Sequence, residues 1–207
     1  MSKRVARAPS LYEPYLLFLI FVGVGLGTVL VEQKVRLALL WTTMILLSVL
    51  YRSKIKVDTD FGPASISRGA LLGIVISMPI LAFLISQLRV FTERLYATSD
   101  VVMLFYQICF VSAPVEEYFF RGIIQGRYGS SVSTTLYAAT ALLYFLPHAP
   151  LLVSFIVFVA MGTLGLVYGF VRERHGLAAS IACHVVVGLI LQVIPSMIEA
   201  LRVLLVG

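Results

Sequence analysis

Charge is what this chain has least of. Asp, Glu, Lys and Arg make up 13% of its 207 residues, against 60% hydrophobic residues and a mean hydropathy of +0.99. Soluble domains carry about 25% charged residues, so a soluble globular protein is excluded and the chain reads as integral to a membrane. Polar stretches long enough for a separate soluble domain are missing too. This leaves one all-α, polytopic transmembrane domain over residues 1–207. Cysteine is scarce: Cys109 and Cys183 lie in apolar runs, form no CxxC pair and read as small buried hydrophobes. The net charge of +6 is scattered over short connections. That pattern excludes nucleic acid as a partner and leaves the lipid bilayer. No HExxH spacing is present, which counts against a zinc site of that type.

What is there is a succession of apolar runs. The first spans Tyr15 to Val31, with Gly23, Gly25 and Gly27 suited to close helix contact, and the second Leu37 to Tyr51, after a polar turn from Glu32 to Arg36. The basic start (Lys3, Arg4, Arg7) is followed by Glu13-Pro14 and a long apolar run without a small-residue cleavage site. It reads as leading into a retained membrane helix rather than a signal peptide. Arg52 to Arg68 is a charged loop. A third run, Gly69 to Leu88, contains Pro79, where a kink is expected. Arg89 to Asp100 reads as a polar connection. The fourth run begins at Val101, the fifth at about Thr134 after a turn from Tyr128 to Ser133. The sixth is Leu151 to Val171 and the seventh Leu177 to Ile194, with a short closing segment from Ser196 to Val206. The expectation is seven to eight membrane helices, those before residue 101 forming an N-terminal part and 101–207 a core.

Basic residues set the orientation. With the N-terminus in the cytoplasm, the inner side receives Lys3, Arg4, Arg7, Arg52, Lys54, Lys56, Arg68, Arg121, Arg127, Arg172 and Arg174, and the outer side only Lys34, Arg36, Arg89 and Arg94. In a prokaryote the membrane would be the plasma membrane. Helical rise then places Glu116 about 22 Å from Val101 and His184 about 10 Å into the seventh run, so the two can share a level. A straight fifth helix starting near Thr134 would carry His148 about 20 Å from its start, away from them.

Three charges interrupt the fourth run: Glu116, Glu117 and Arg121. Ionisable residues inside a membrane segment mark function by default, at about 2.5–3.5 kcal/mol each on insertion scales. Glu117 and Arg121 are i and i+4, acid before base, which favours an ion pair. Glu116 is turned about 100° away and has no such partner. The doublet therefore divides into a structural acid and a free acid fit for general-base work. Of the three histidines, His175 sits among charged residues, whereas His148 and His184 are embedded in apolar sequence. A carboxylate and two imidazoles can activate a water, or hold a metal.

Glu116-Glu117-Tyr118-Phe119-Phe120-Arg121-Gly122-Ile123-Ile124-Gln125 resembles the EExxxRGxxQ signature of the CAAX-protease and bacteriocin-processing family, whose eukaryotic members are type II CAAX prenyl endopeptidases. Tyr144-Phe145-Leu146-Pro147-His148 is similar to that family's FxxxH motif, with Tyr for the leading Phe. His184-Val185-Val186-Val187-Gly188 matches its third motif, with Gly188 where Asn or Asp is expected. The resemblance runs from Val101 onward. It implies an intramembrane protease of membrane-associated, CAAX-type substrates, with a helical bundle and a cavity open to the cytosol. In that reading Glu116 and His148 activate water, His184 stabilises the oxyanion, and Glu117 and Arg121 hold the site in shape. The mechanism implied needs no cofactor; a divalent metal such as zinc on Glu116, His148 and His184 is the alternative. Gly188 removes a donor, a loss worth about 10²–10³ in rate, which Gln192 or Gln125 could make good. Two rival functions remain: a catalytically silent relative acting as a membrane scaffold or bacteriocin-immunity-type protein, and a small proton-coupled transporter. The lack of repeated halves counts against the transporter.

Overall fold

The computed structural model describes residues 13–52, 57, 61–145 and 149–206. Across them the chain is helical, with no strand. An apolar solvent demands this, because each main-chain group must find its partner inside the protein. α1 is Glu13–Gly27, α2 Gln33–Arg52 and α3 Pro63–Tyr96. α4 runs from 101 to 128, an α-helix interrupted by π-helical stretches at Gln107–Ser112 and Tyr118–Ile124. α5 is Ser130–Phe145 and α6 Leu151–His175; α7 runs from 177 to 206 through a π-helical stretch at Leu189–Val193. Four segments, 33–51, 63–96, 151–175 and 177–202, are long and apolar enough to cross a membrane, and α1 is a shorter apolar helix. Lys3, Arg4, Arg7 and the charged loop residues Lys54, Lys56, Asp58 and Asp60 lie outside the described residues.

Several boundaries differ from the sequence expectation. The connection expected at 89–100 remains helical to Tyr96, because its charges pair along the helix. Arg89 bonds Glu93, one turn on, at 3.0 Å and Glu199 of α7 at 3.0 Å. The departure from helical geometry inside α3 is at Leu84 (φ −124°, ψ 16°), not at Pro79. The closing segment from 196 is the continuation of α7. The expected turn from Tyr128 to Ser133 shrinks to Gly129, whose φ of 89° suits a residue without Cβ.

α4 is the central rod, packed against α2, α5, α6 and α7, while α3 lies along α7 and α5 along α6. The buried positions of α2 are Gln33, Arg36, Leu37, Leu40, Trp41, Met44, Leu47 and Ser48, the three-and-four spacing of one helix face. Its opposite face is equally apolar and exposed, Leu46 and Leu50 among it. A lipid-facing surface looks like that. Of the three glycines of α1, Gly25 faces a neighbour, Leu143, while nothing approaches Gly23 or Gly27.

α3 and α7 meet backbone to backbone. A Cβ at Gly69 would lie 2.0 Å from the Ala179 carbonyl oxygen, so no larger residue fits without moving a helix. Gly69→Ala is therefore expected to destabilise the protein by about 1–3 kcal/mol. Gly23→Ala, in open space, should stabilise it by about 0.5–1 kcal/mol. Thermal unfolding in detergent compares the two.

Candidate active site

α4 starts cleanly and then widens where the charges lie. The Asp100 carboxylate caps it, accepting from the amides of Val102 at 2.9 Å and Met103 at 3.3 Å. Pro114 has no amide to give to the preceding turn. The five residues Ala113–Glu117, which include it, sit between the two π-helical stretches. Such widenings re-aim side chains and often coincide with functional sites. Here they bracket Glu116 and Glu117.

Glu117 is fully buried and has a partner for each oxygen. Oε1 lies 3.6 Å from an Arg121 guanidinium nitrogen and 2.9 Å from His184 Nδ1. Oε2 accepts from the Ser180 hydroxyl. Arg121, also fully buried, donates to the Gly165 carbonyl at 3.0 Å and stands over the Tyr137 ring at 4.1 Å from its centroid. The aromatic face supplies negative potential where no water reaches. His184 is stacked on Tyr168, with centroids 4.5 Å apart and planes 17° apart, and meets Tyr137 edge-on. The ring is thus fixed by a carboxylate at Nδ1 and by two aromatic walls. Nε2 is the nitrogen left for chemistry.

Glu116 is held separately. It is 4% exposed, and its Oε1 accepts from the Tyr144 hydroxyl of α5 at 3.0 Å. Sequence depth alone argued against His148, four residues after Tyr144, reaching this level. The hairpin at Gly129 explains the meeting: α5 starts at Ser130 rather than Thr134 and returns antiparallel, so residues at similar distances either side of Gly129 come to similar levels, and the Tyr144 side chain reaches Glu116. Tyr144 stands where the family motif has Phe, so its hydroxyl is a feature of this chain. His148 lies outside the described residues.

The third motif also departs from the family pattern. The space a side chain at Gly188 would enter is filled by Ile108 of α4, whose Cγ2 would lie 2.4 Å from the new Cβ. Of the two glutamines that could substitute, Gln125 is committed elsewhere, donating to the Gly169 carbonyl at 3.0 Å and Glu173 at 3.1 Å. Gln192 is the one beside the gap. Its Oε1 lies 3.7 Å from the Cβ position at Gly188 and accepts from the Tyr96 hydroxyl at 3.2 Å.

Glu117, Arg121 and His184 are in contact with one another, and Glu116 stands next to them on α4, held by Tyr144. Sequence reasoning missed Ser180, Tyr137, Tyr168 and Tyr144. Ser180 was within reach of it, standing one turn before His184 on the same face of α7. The tyrosines come from other helices; in a chain with 10 tyrosines nothing local distinguishes Tyr137 and Tyr168, and Tyr144 was in view only as the leading residue of the second motif, not as a partner of Glu116.

Glu117→Ala would strand Arg121 in the core and is expected to cost about 3–5 kcal/mol. Glu116→Gln, which keeps an acceptor for Tyr144, should change stability by no more than about 1 kcal/mol. Gly188→Asn should lose about 1–3 kcal/mol through overpacking against Ile108, and Ile108→Ala should restore most of it. Unfolding midpoints in detergent read all four.

Comparison with curated proteins and with solved structures returned no match. Residues 98–190 match the protein family described as Type II CAAX prenyl endopeptidase Rce1-like. That stretch carries Glu116, Glu117, Arg121 and His184 and covers a little under half of the chain, which over those residues is similar to the Rce1-like family.

Proposed function

We propose that the protein is a membrane-embedded endopeptidase that hydrolyses a peptide bond of a membrane-associated, CAAX-type substrate with water activated by Glu116 and His148. The observation that carries this reading is the division of labour between adjacent carboxylates. Both Glu117 oxygens are engaged, by Arg121, His184 and Ser180, whereas Glu116 has one formed hydrogen bond, from the Tyr144 hydroxyl to Oε1, with the Trp41 indole as a further polar neighbour, so its second oxygen is the less committed one. A general base needs such an oxygen within reach of a water.

In the reaction, Glu116 takes a proton from the water as its oxygen forms a bond to the scissile carbonyl carbon. The carbonyl π-electrons move to oxygen, and His184 donates from Nε2 to the oxyanion. Since Nδ1 already faces the Glu117 carboxylate, a donating Nε2 means a doubly protonated ring. The intermediate collapses with cleavage of the C–N bond, and the proton on Glu116 passes to the leaving amine. Gln192 is the candidate second donor where Gly188 offers none. No cofactor enters this mechanism.

A recess of about 340 Å³, lined by sequence neighbours of the two glutamates but by neither glutamate itself, suits an apolar chain. It is walled by Ile45 and Val49 of α2, Pro114, Val115 and Tyr118 of α4, and Ile181 of α7. With the N-terminus in the cytoplasm, as the basic residues argue, the site would open toward the cytosol. One observation favours a second reading, a catalytically silent relative serving as a membrane scaffold or bacteriocin-immunity-type protein: Ile108 occupies the space of the missing donor.

Cleavage of a quenched farnesylated peptide separates these readings. Wild type should cleave it, while Glu116→Ala and His148→Ala should each lose about 10²-fold or more. Equal signal from all three would sink the peptidase reading in favour of the silent one. Chelator should leave wild-type cleavage unchanged; loss of activity restored by zinc would instead establish the metal alternative.

A further inference from the structure

The first turn of α2 takes no part in the chemistry above, yet it reaches the same carboxylate in two steps. Gln33 and Arg36 stand one turn apart on the buried face of α2, and Arg36 is fully buried. Sequence reading counted Arg36 as an exposed charge of a surface turn. Its described acceptors are all main-chain carbonyls: Gly25 at 3.1 Å, Tyr144 at 3.4 Å, and Leu143. Gln33 donates to the Leu95 carbonyl at 3.0 Å and shares the Tyr144 carbonyl at 3.5 Å. These carbonyls belong to the last turns of α1, α3 and α5, where helices leave their acceptors unpaired. The last carbonyl of α5, that of Phe145, is taken by the Ala149 amide at 3.0 Å.

A glycine cap or a neutral donor would satisfy one such helix end at less cost than a buried cation. The guanidinium does something they cannot: it binds α1 and α5 at once and fixes the axial position of α5 through two successive carbonyls. That position matters because the Tyr144 hydroxyl reaches Glu116 over 3.0 Å. A slip of α5 by one residue moves the ring about 1.5 Å and breaks the bond.

We propose that Arg36 is a positioning residue for Glu116, acting through Tyr144: it locks the end of α5 so that the Tyr144 hydroxyl holds one Glu116 oxygen and leaves the other for the water. This rests on the reading of Glu116 as the general base. It also gives the N-terminal helices a task, since α2 lies before the segment that matches the family. The same buried face of α2 carries Trp41, with its indole nitrogen buried and its ring 6.3 Å from that of Tyr96. Trp41 is the one tryptophan of the chain, so its emission reports on this corner of the site.

The test is a double-mutant cycle of Arg36→Gln and Tyr144→Phe in the full-length protein, read by cleavage of the farnesylated peptide and by Trp41 emission. Each single variant should lower kcat about tenfold, the worth of one hydrogen bond to a charged group, with KM unchanged. The double variant should be no worse than either, because both remove the same bond. Arg36→Lys should recover part of the loss. Trp41 emission should shift with Arg36→Gln in the wild-type background and not in the Tyr144→Phe background. Additive losses, or an emission shift of equal size in both backgrounds, would overturn the proposal. If no peptide is cleaved by wild type, the peptidase reading fails while the emission cycle still decides the coupling. Should Arg36→Gln fail to fold, Arg36→Lys takes its place in the same cycle.

Discussion

A carboxylate buried in an apolar bundle has to be answered on every side, and the Glu117 carboxylate is the point from which the rest of this structure follows. Bringing such a charge out of water costs several kcal/mol, recovered only with good geometry and full hydrogen bonding. Four elements are drawn in to meet that demand. α4 supplies Arg121, α7 supplies Ser180 and His184, α6 offers the Gly165 carbonyl to Arg121, and α5 brings the Tyr137 ring. The cluster is thereby both a core and a site. His184 is oriented by its bond to Glu117, so in the proposed reaction a structural necessity would also prepare a ring nitrogen.

The same constraint operates at the helix ends. Main-chain carbonyls that water would satisfy on a soluble protein must find donors inside this bundle. Gln33 and Arg36 fulfil that role for three helices at once. Polar groups here are few, and those at the site are shared between elements. Tyr144 is the clearest case, its carbonyl held by Arg36 and its hydroxyl by Glu116. A membrane protein with so little charge cannot separate residues for stability from residues for chemistry.

The apolar majority does a different task. Side chains on the outer faces, Leu151 and Leu152 of α6 and Leu204 and Leu205 of α7 among them, are largely exposed. Lipid is as apolar as leucine, so these faces gain little from burial against protein. Close approach therefore depends on small residues and shape, as at Gly69 against Ala179.

By itself the sequence determined that the protein is helical, apolar and membrane-embedded. Charge scarcity and run length carry that information without reference to contacts. It also determined which two acids differ in kind, since the four-residue spacing of Glu117 and Arg121 is a local property of one helix. His184 was legible as an ionisable group in an apolar run, and the order of its motif pointed to the family. Tertiary structure alone decided the rest. Whether Arg36 is a surface charge or a buried clamp turns on helices distant in sequence. A hydropathy pattern cannot tell a protein-facing side from a lipid-facing one when both are apolar. The level of Tyr144 against Glu116 depended on a hairpin whose turn is a single residue. The gap at Gly188 took its meaning only from Ile108, a neighbour on another helix. Local spacing writes the pairs within a helix, and only packing writes the pairs between them.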